Sequence, residues 1–249
     1  MDRRSAVARP RPGPMTVRRS AWRSPLVVVS AVAVVLMTGF IAALLLTSNP
    51  GGTPAAISII QPPATGIDQY ADGEAIGPED APVVLEVYAD YQCPWCGRFA
   101  RETLPGLVGT FVADGQLRIE ERAIAFLGTG SPDESLDAAA AAACAAPAGT
   151  YWSFADYLAW NQSGENEGAF SRERLGAMAV RVGLEPAAFQ ACLDDPQIRG
   201  AIQARTAQAF QAGIQSTPTF LINGEQVTVN SFDELGPIIQ ARIDAAAAS

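Results

Sequence analysis

Val83-Val84-Leu85-Glu86-Val87-Tyr88-Ala89-Asp90-Tyr91-Gln92-Cys93-Pro94-Trp95-Cys96 is the stretch on which the reading of the fold turns. Val83 to Ala89 is apolar and rich in β-branched residues, which predicts a strand. The residues from Gly97 to Val112 predict a helix. Two cysteines two residues apart therefore sit where a strand feeds a helix, with Cys93 at the helix start. The first backbone N–H groups of a helix have no intrahelical partners, and the helix dipole is positive there. Both effects favour a thiolate, the reactive form of cysteine. Pro94 suits the first helical position, where its missing N–H costs nothing. Cys93 is thus the expected N-cap and attacking sulfur, and Cys96, one turn on, the expected resolving sulfur.

The same spacing also serves structural disulfides and zinc sites. A zinc site needs about four ligands, usually a second cysteine pair or histidines. The chain has no histidine, and its other two cysteines, Cys144 and Cys192, lie far apart. No metal site is expected. The lack of histidine also excludes a His-based catalytic triad. A static disulfide across Cys93 and Cys96 stays open as the bland alternative.

The N-terminus differs in composition from the rest. Residues 1–25 carry seven arginines and one acid and predict a basic cytoplasmic tail. Leu26 to Leu46 is an uncharged, almost wholly apolar run of 21 residues. Such a run spans a hydrocarbon core of about 30 Å as a helix and exceeds a signal-peptide core of about 7–15 residues. The expectation is an uncleaved transmembrane signal anchor, with a cleaved signal peptide as the alternative. By the positive-inside rule the N-terminus is cytoplasmic and the remainder extracytoplasmic, giving a single-pass protein of the cell membrane. From Gly51 onward ten arginines face 25 acids, a charge of about −15 that argues against nucleic acid as a partner. An exported compartment also lets disulfides form and persist.

Residues 47–79, rich in Gly, Pro, Ala and Ser, read as a flexible linker. The folded domain is expected over 80–249. It opens β-α-β, with a helix Pro94–Val112 kinked at Pro105-Gly106 and a strand Leu117–Phe126. A block of helices follows over about 133–213. The aromatic residues Trp152, Phe154, Tyr157 and Trp160 recur there at helical spacing, as core residues do. Asn223-Gly224 between Pro218–Ile222 and Glu225–Val229 predicts a hairpin, and Ser231-Phe232-Asp233-Glu234 is a capping box that opens a last helix. The order is therefore α/β: β-α-β, a helical insertion, then β-β-α.

At this point the chain resembles the DsbA-like thiol:disulfide oxidoreductases of the thioredoxin superfamily. Three features carry the resemblance: Asp90 to Cys96 after a strand, Ser216-Thr217-Pro218-Thr219-Phe220 before a strand and hairpin, and the helical insertion between the halves. The resemblance implies a thioredoxin-like fold over about 80–246 and a cis peptide before Pro218 lying against the cysteine pair. A proline there offers no N–H and can approach a thiolate closely. It leaves the Thr217 backbone free to pair with an extended substrate peptide. Pro94, Trp95, Thr217 and Pro218 thus shape the site around catalytic Cys93 and Cys96. Trp95 stands where many members have a histidine. Val87 stands where many carry a buried acid, and Glu86, one residue out of register, should face the other side of the sheet. Asp90 is a candidate substitute for proton transfer to the resolving thiol; a turn-forming aspartate is the alternative. Cys144 and Cys192 read as a structural disulfide joining two insertion helices, with free thiols or a second redox pair as alternatives.

The resulting expectation is a membrane-tethered thiol:disulfide oxidoreductase that needs no cofactor. It would oxidise cysteine pairs of reduced exported polypeptides and be reoxidised by a quinone-linked membrane protein. A reductase or isomerase of the same fold is one alternative. A peptide-binding or chaperone module with a non-catalytic disulfide is another.

Overall fold

The computed structural model describes residue 29 and residues 33–40, 57–128 and 133–248. The basic tail 1–25, most of the apolar run 26–46 and residues 47–56 lie outside the described residues. Residues 33–40 are helical, and the Thr38 hydroxyl donates back to the carbonyls of Val34 and Val35. Among the described residues no helix is long and apolar enough to cross a membrane.

The second unit, Ile57–Ser249, carries a six-stranded mixed sheet. Its strands are β1 (Ala71–Asp72), β2 (Ala75–Ile76), β3 (Val83–Ala89), β4 (Leu117–Ala123), β5 (Thr219–Ile222) and β6 (Glu225–Val227), in the order β1-β2-β4-β3-β5-β6. β3 is central, parallel to β4 and antiparallel to β5. Its period-two pattern buries Val83, Leu85, Val87 and Ala89 on one face. Asn223 and Gly224 turn β5 into β6, both at positive φ, the conformation that makes Asn-Gly a hairpin signal. Asn223 also pins the turn to β3, its side-chain oxygen accepting from the Val84 N–H at 2.8 Å.

The helix after β3, here α1, is composite. An α-helical turn Pro94–Arg98 passes into a π-helical turn Phe99–Thr103, then Leu104–Leu107 and a second π turn Val108–Val112. The irregularity expected at Pro105-Gly106 is thus taken up by π turns on either side of the proline, whose ring excludes one ladder hydrogen bond. β4 ends at Ala123, three residues before the expected Phe126.

The insertion comprises α2 (Glu134–Ala145), α3 (Tyr151–Trp160), α4 (Arg172–Arg181), α5 (Pro186–Leu193) and α6 (Pro196–Gln211). Ala138 to Ala142 of α2 are wholly buried, so small side chains let α3, α5 and α6 close around it. Cys144 at the end of α2 is disulfide-bonded to Cys192 of α5. The last helix, α7 (Leu235–Ala247), buries Leu235, Ile239 and Ile243 in the same core as the sheet.

The domain starts earlier than the expected residue 80. Residues 57–79, read as linker from their composition, are packed on the domain. Ile60 exchanges two hydrogen bonds with the Asn161 side chain, at 2.8 and 2.9 Å, and the Thr65 hydroxyl donates to Asp156 at 3.0 Å. Asp68 accepts from the N–H and hydroxyl of Ser153. Ile67 and Ile76 are buried, and β1 and β2 extend the sheet beyond β4. The Gly, Pro and Ala content masked a sparse set of isoleucines and polar anchors that only α3 and β4 complete.

Candidate active site

The turn from β3 into α1 is held by Asp90, which is fully buried. Its carboxylate accepts from the N–H of Gln92 at 2.8 Å, the N–H of Leu127 at 2.7 Å and the hydroxyl of Ser135 at 2.8 Å. Burial raises its pKa, and these donors oppose the rise. Asp90 therefore fastens three segments: the turn itself, the chain after β4 and the start of α2. That is the turn-forming role; its carboxylate is engaged by these donors.

Cys93 is the N-cap of α1, with Pro94 in the first helical position, as the spacing predicted. Both site cysteines are unpaired thiols in the structure, and both are buried. The Cys93 thiol donates to the Thr217 carbonyl at 3.2 Å, across a Thr217-Pro218 peptide bond that is cis. The Cys93 pKa is lowered to about 6. The largest cause is the Cys96 thiol donating to it. Burial opposes, and the Thr217 side chain and the N–H groups of Cys96 and Trp95 add further stabilisation. Cys96 behaves in the opposite way. Burial pushes its pKa well up, and the neighbouring Cys93 adds to the rise. One sulfur held towards the thiolate and one held as the thiol are the asymmetry that an attacking and a resolving sulfur require.

Two further contacts shape the cysteine turn. Gln162 from the end of α3 donates to the carbonyls of Tyr91 at 2.6 Å and Cys93 at 2.9 Å. A Cβ on Gly97 would come within 2.0 Å of the Gln162 side chain, so the glycine is needed for this close approach. Trp95 is 58% exposed. Its ring meets Phe232 edge-on at 6.5 Å, and the Arg98 guanidinium lies 5.6 Å from its centre. Beside it, Thr217, Pro218, Phe232 and Asp233 help line an open groove of about 480 Å³.

One group went unremarked in the sequence. Glu121 of β4 lies opposite Val87 in the parallel register, so it stands on the same sheet face as the position where the family resemblance looks for an acid. Its pKa is raised to about 7, first by burial, while hydrogen bonds from Tyr91 and Tyr151 and the Arg205 charge pull it down and the Glu74 charge adds to the rise. The two tyrosine hydroxyls are 3.0 Å apart. The signal was available: Leu117, Ile119 and Ala123 mark the buried face of β4, and Glu121 falls on it.

Comparison with known proteins agrees with this geometry. A family model described as Thioredoxin matches residues 70–241. Over 169 residues the chain is 30% identical to a Na(+)/H(+) antiporter NhaA of Herminiimonas arsenicoxydans, covering 68% of this chain and 24% of the antiporter. It therefore spans about a quarter of that relative's length. It is 23% identical over 170 residues to disulfide bond formation protein D of Bacillus subtilis, covering 68% of this chain and 76% of that protein. The crystal structure of oxidised BdbD from Bacillus subtilis superposes with a TM-score of 0.62 at 21% identity, covering 75% of this chain and 97% of that one. That likeness is one of fold. With more than two thirds of its length inside the family model, the chain belongs to the thioredoxin family.

Proposed function

We propose that the protein oxidises cysteine pairs of exported polypeptides outside the cytoplasm, tethered to the membrane through residues 26–46. The observation that carries the reading is Cys93: a helix-capping sulfur against Thr217 with its pKa lowered to about 6. A thiolate stabilised in the dithiol form makes the disulfide a better oxidant. The relative named disulfide bond formation protein D supports the same direction. The arginines ahead of an apolar run of 21 residues support the tether and its orientation.

In the proposed cycle a substrate thiolate attacks Cys93 of the Cys93–Cys96 disulfide. The S–S bond between the two cysteines breaks, a mixed disulfide forms, and Cys96 leaves with the electron pair. A second substrate thiolate attacks the substrate sulfur of the mixed disulfide and releases Cys93. Two electrons pass from the substrate dithiol to the enzyme, and a quinone-linked membrane protein takes them away. The groove beside Trp95 and Pro218 receives the extended substrate, whose backbone pairs with Thr217.

The test is trapping. Cys96→Ala, loaded at Cys93 as a mixed disulfide with glutathione by oxidised glutathione, should pass that bond to reduced, unfolded protein with release of glutathione and accumulate the mixed disulfide, and Cys93→Ala treated in the same way should accumulate few. Equal trapping by both variants would overturn the assignment of the two sulfurs. A protein that protects unfolded substrate equally well without either cysteine would be a binding module instead.

A further inference from the structure

The loop between α3 and α4 grips the chain on both sides of the nucleophile's N–H. The Gln162 amide nitrogen donates to the carbonyls of Tyr91 at 2.6 Å and Cys93 at 2.9 Å. Between these two residues, the Gln92 side-chain carbonyl accepts from the Asn166 N–H at 2.5 Å, and its amide donates to the Ser135 hydroxyl at 2.8 Å. Both ends of the loop are themselves fixed. Asn161 is buried, bonded to the Ile60 backbone and to the Tyr157 carbonyl. Glu134 of α2 accepts from the N–H groups of Gly168 at 2.7 Å and Phe170 at 2.9 Å.

Two residues of α1 are fitted to the Gln162 amide. Arg101, in the first π turn, donates to its oxygen at 3.4 Å and to the Ala159 carbonyl. The amide is thereby oriented, with its oxygen towards the guanidinium and its nitrogen towards the two carbonyls. Gly97 makes room for it. An added Cβ there would overlap the carbon, oxygen and nitrogen of that amide. Gly97 lies inside a helical turn, where alanine is the more favourable residue. Its backbone does not call for glycine, but the Gln162 amide does.

We propose that Gln162 is a positioning residue for the Cys93 sulfur, locking the turn that sets it at the helix N-terminus, and that residue 97 is glycine in order to admit it. The inference rests on Cys93 being the attacking sulfur of the exchange proposed above. Gln162 acts through the backbone. The N–H groups of Trp95 and Cys96 stabilise the Cys93 thiolate. They stay aimed at it only while Cys93 keeps its capping conformation, with φ −70° and ψ 120°. The Cys93 carbonyl already accepts from the Gly97 N–H at 3.1 Å, the first bond of the helix. Gln162 occupies its second lone pair and ties it to the Tyr91 carbonyl two residues earlier. Without that tie the turn is free to rotate, and the thiolate loses aligned donors.

The experiment uses the reduced full chain in four forms: unmodified, Gln162→Ala, Gly97→Ala and the double variant. Thiolate absorbance against pH gives the Cys93 titration, and equilibration with glutathione at about pH 7 gives the balance of dithiol and disulfide. Gln162→Ala should raise the titration from about 6 by at least about one unit. A one-unit rise lowers the thiolate share at pH 7 from about nine tenths to about half and shifts the glutathione equilibrium about fivefold towards the disulfide. Gly97→Ala keeps the Gln162 side chain but displaces it, so it should raise the titration too, although alanine favours the helix. The double variant should titrate where Gln162→Ala does, because the new Cβ has nothing left to displace. An unmoved titration in Gln162→Ala overturns the inference, even if Tm falls, since Gln162 would then support the fold alone. A Gly97→Ala shift of the same size with and without Gln162 overturns it equally. Should Gln162→Ala fail to fold, an unmoved titration in Gly97→Ala has the same force. No thiolate below about pH 8 in the unmodified protein would remove the activated Cys93 on which the exchange itself rests; a titration near 6 in all four forms removes only the role of Gln162.

Discussion

Taking the protein from pH 8 to pH 5 should change the slope with which its reduction potential depends on pH, and the break reports the Cys93 thiolate. The folded pKa of Cys93, about 6, lies below the value of about 8.5 of a free thiol. The stabilisation this brings to the reduced form is complete above about pH 8.5 and is lost as pH falls through about 6. Its ceiling is about 2.5 units at ~1.4 kcal/mol each, or roughly 3.4 kcal/mol. At pH 7 only the part between the folded pKa and the ambient pH counts, about 1.4 kcal/mol. For a two-electron couple that makes the disulfide about 30 mV more oxidising at pH 7, with a ceiling of about 70 mV. Below the break, reduction takes up two protons and the potential should fall by about 60 mV per pH unit; above it one proton is taken up and the slope should halve to about 30 mV. Equilibration against glutathione buffers at each pH, with acid quench and alkylation, gives the reduced fraction. A single slope of about 60 mV per unit from pH 5 to pH 8 would mean that Cys93 stays protonated. The argument from the helix start and the Cys96 thiol would then fail.

Other expectations concern single groups. Cys144→Ser with Cys192→Ser opens a loop closed over a separation of 48 residues; the chain-entropy account gives about 4 kcal/mol. At ~2–4 °C per kcal/mol for a domain of this size, Tm should fall by roughly 8–16 °C, with the Cys93–Cys96 potential nearly unchanged. An unchanged melt would deny the bond a structural role, and lost exchange in a folded variant would make it a second redox pair. Asp90→Ala leaves two N–H groups and the Ser135 hydroxyl without their acceptor. At about 1–3 kcal/mol for each unsatisfied group, urea denaturation should show a loss of about 3 kcal/mol or more. A loss below about 1 kcal/mol would show that these groups find other partners. Trp95→His places an imidazole beside the thiolate and should move the Cys93 titration below its present value of about 6, read by thiolate absorbance. A titration at the same or higher pH would refute the electrostatic account of this position.

Much of the architecture was legible because its signals are local. Alternation identified β3, the Asn223-Gly224 pair identified the hairpin, and Cys93-Pro94 marked the helix start, each through backbone preferences that act over a few residues. The helical insertion between the halves followed from Pro and Gly stops and alanine-rich runs. The boundary at residue 80 was misplaced because residues 57–79 have little local structure of their own. The Ile60 backbone and the Thr65 and Asp68 side chains are held by Asn161, Asp156 and Ser153, roughly a hundred residues away in the chain. Asp90 was noticed as an acid near the cysteines, yet its partners Leu127 and Ser135 come from elements that only folding brings beside it.

By itself the sequence determined the thioredoxin-like order of elements and the paired cysteines at a helix N-terminus. Both depend on spacing along the chain, where helix dipole and capping act. Only the tertiary structure decided the electrical asymmetry of the two sulfurs. Thr217, more than a hundred residues downstream, must meet Cys93, and α3 must close over Cys96. It alone turned Glu121 from one charged residue in a strand into an acid on a buried face opposite Val87. The pairing of β3 with β4 sets that register, and burial, a property of the whole packing, sets the pKa.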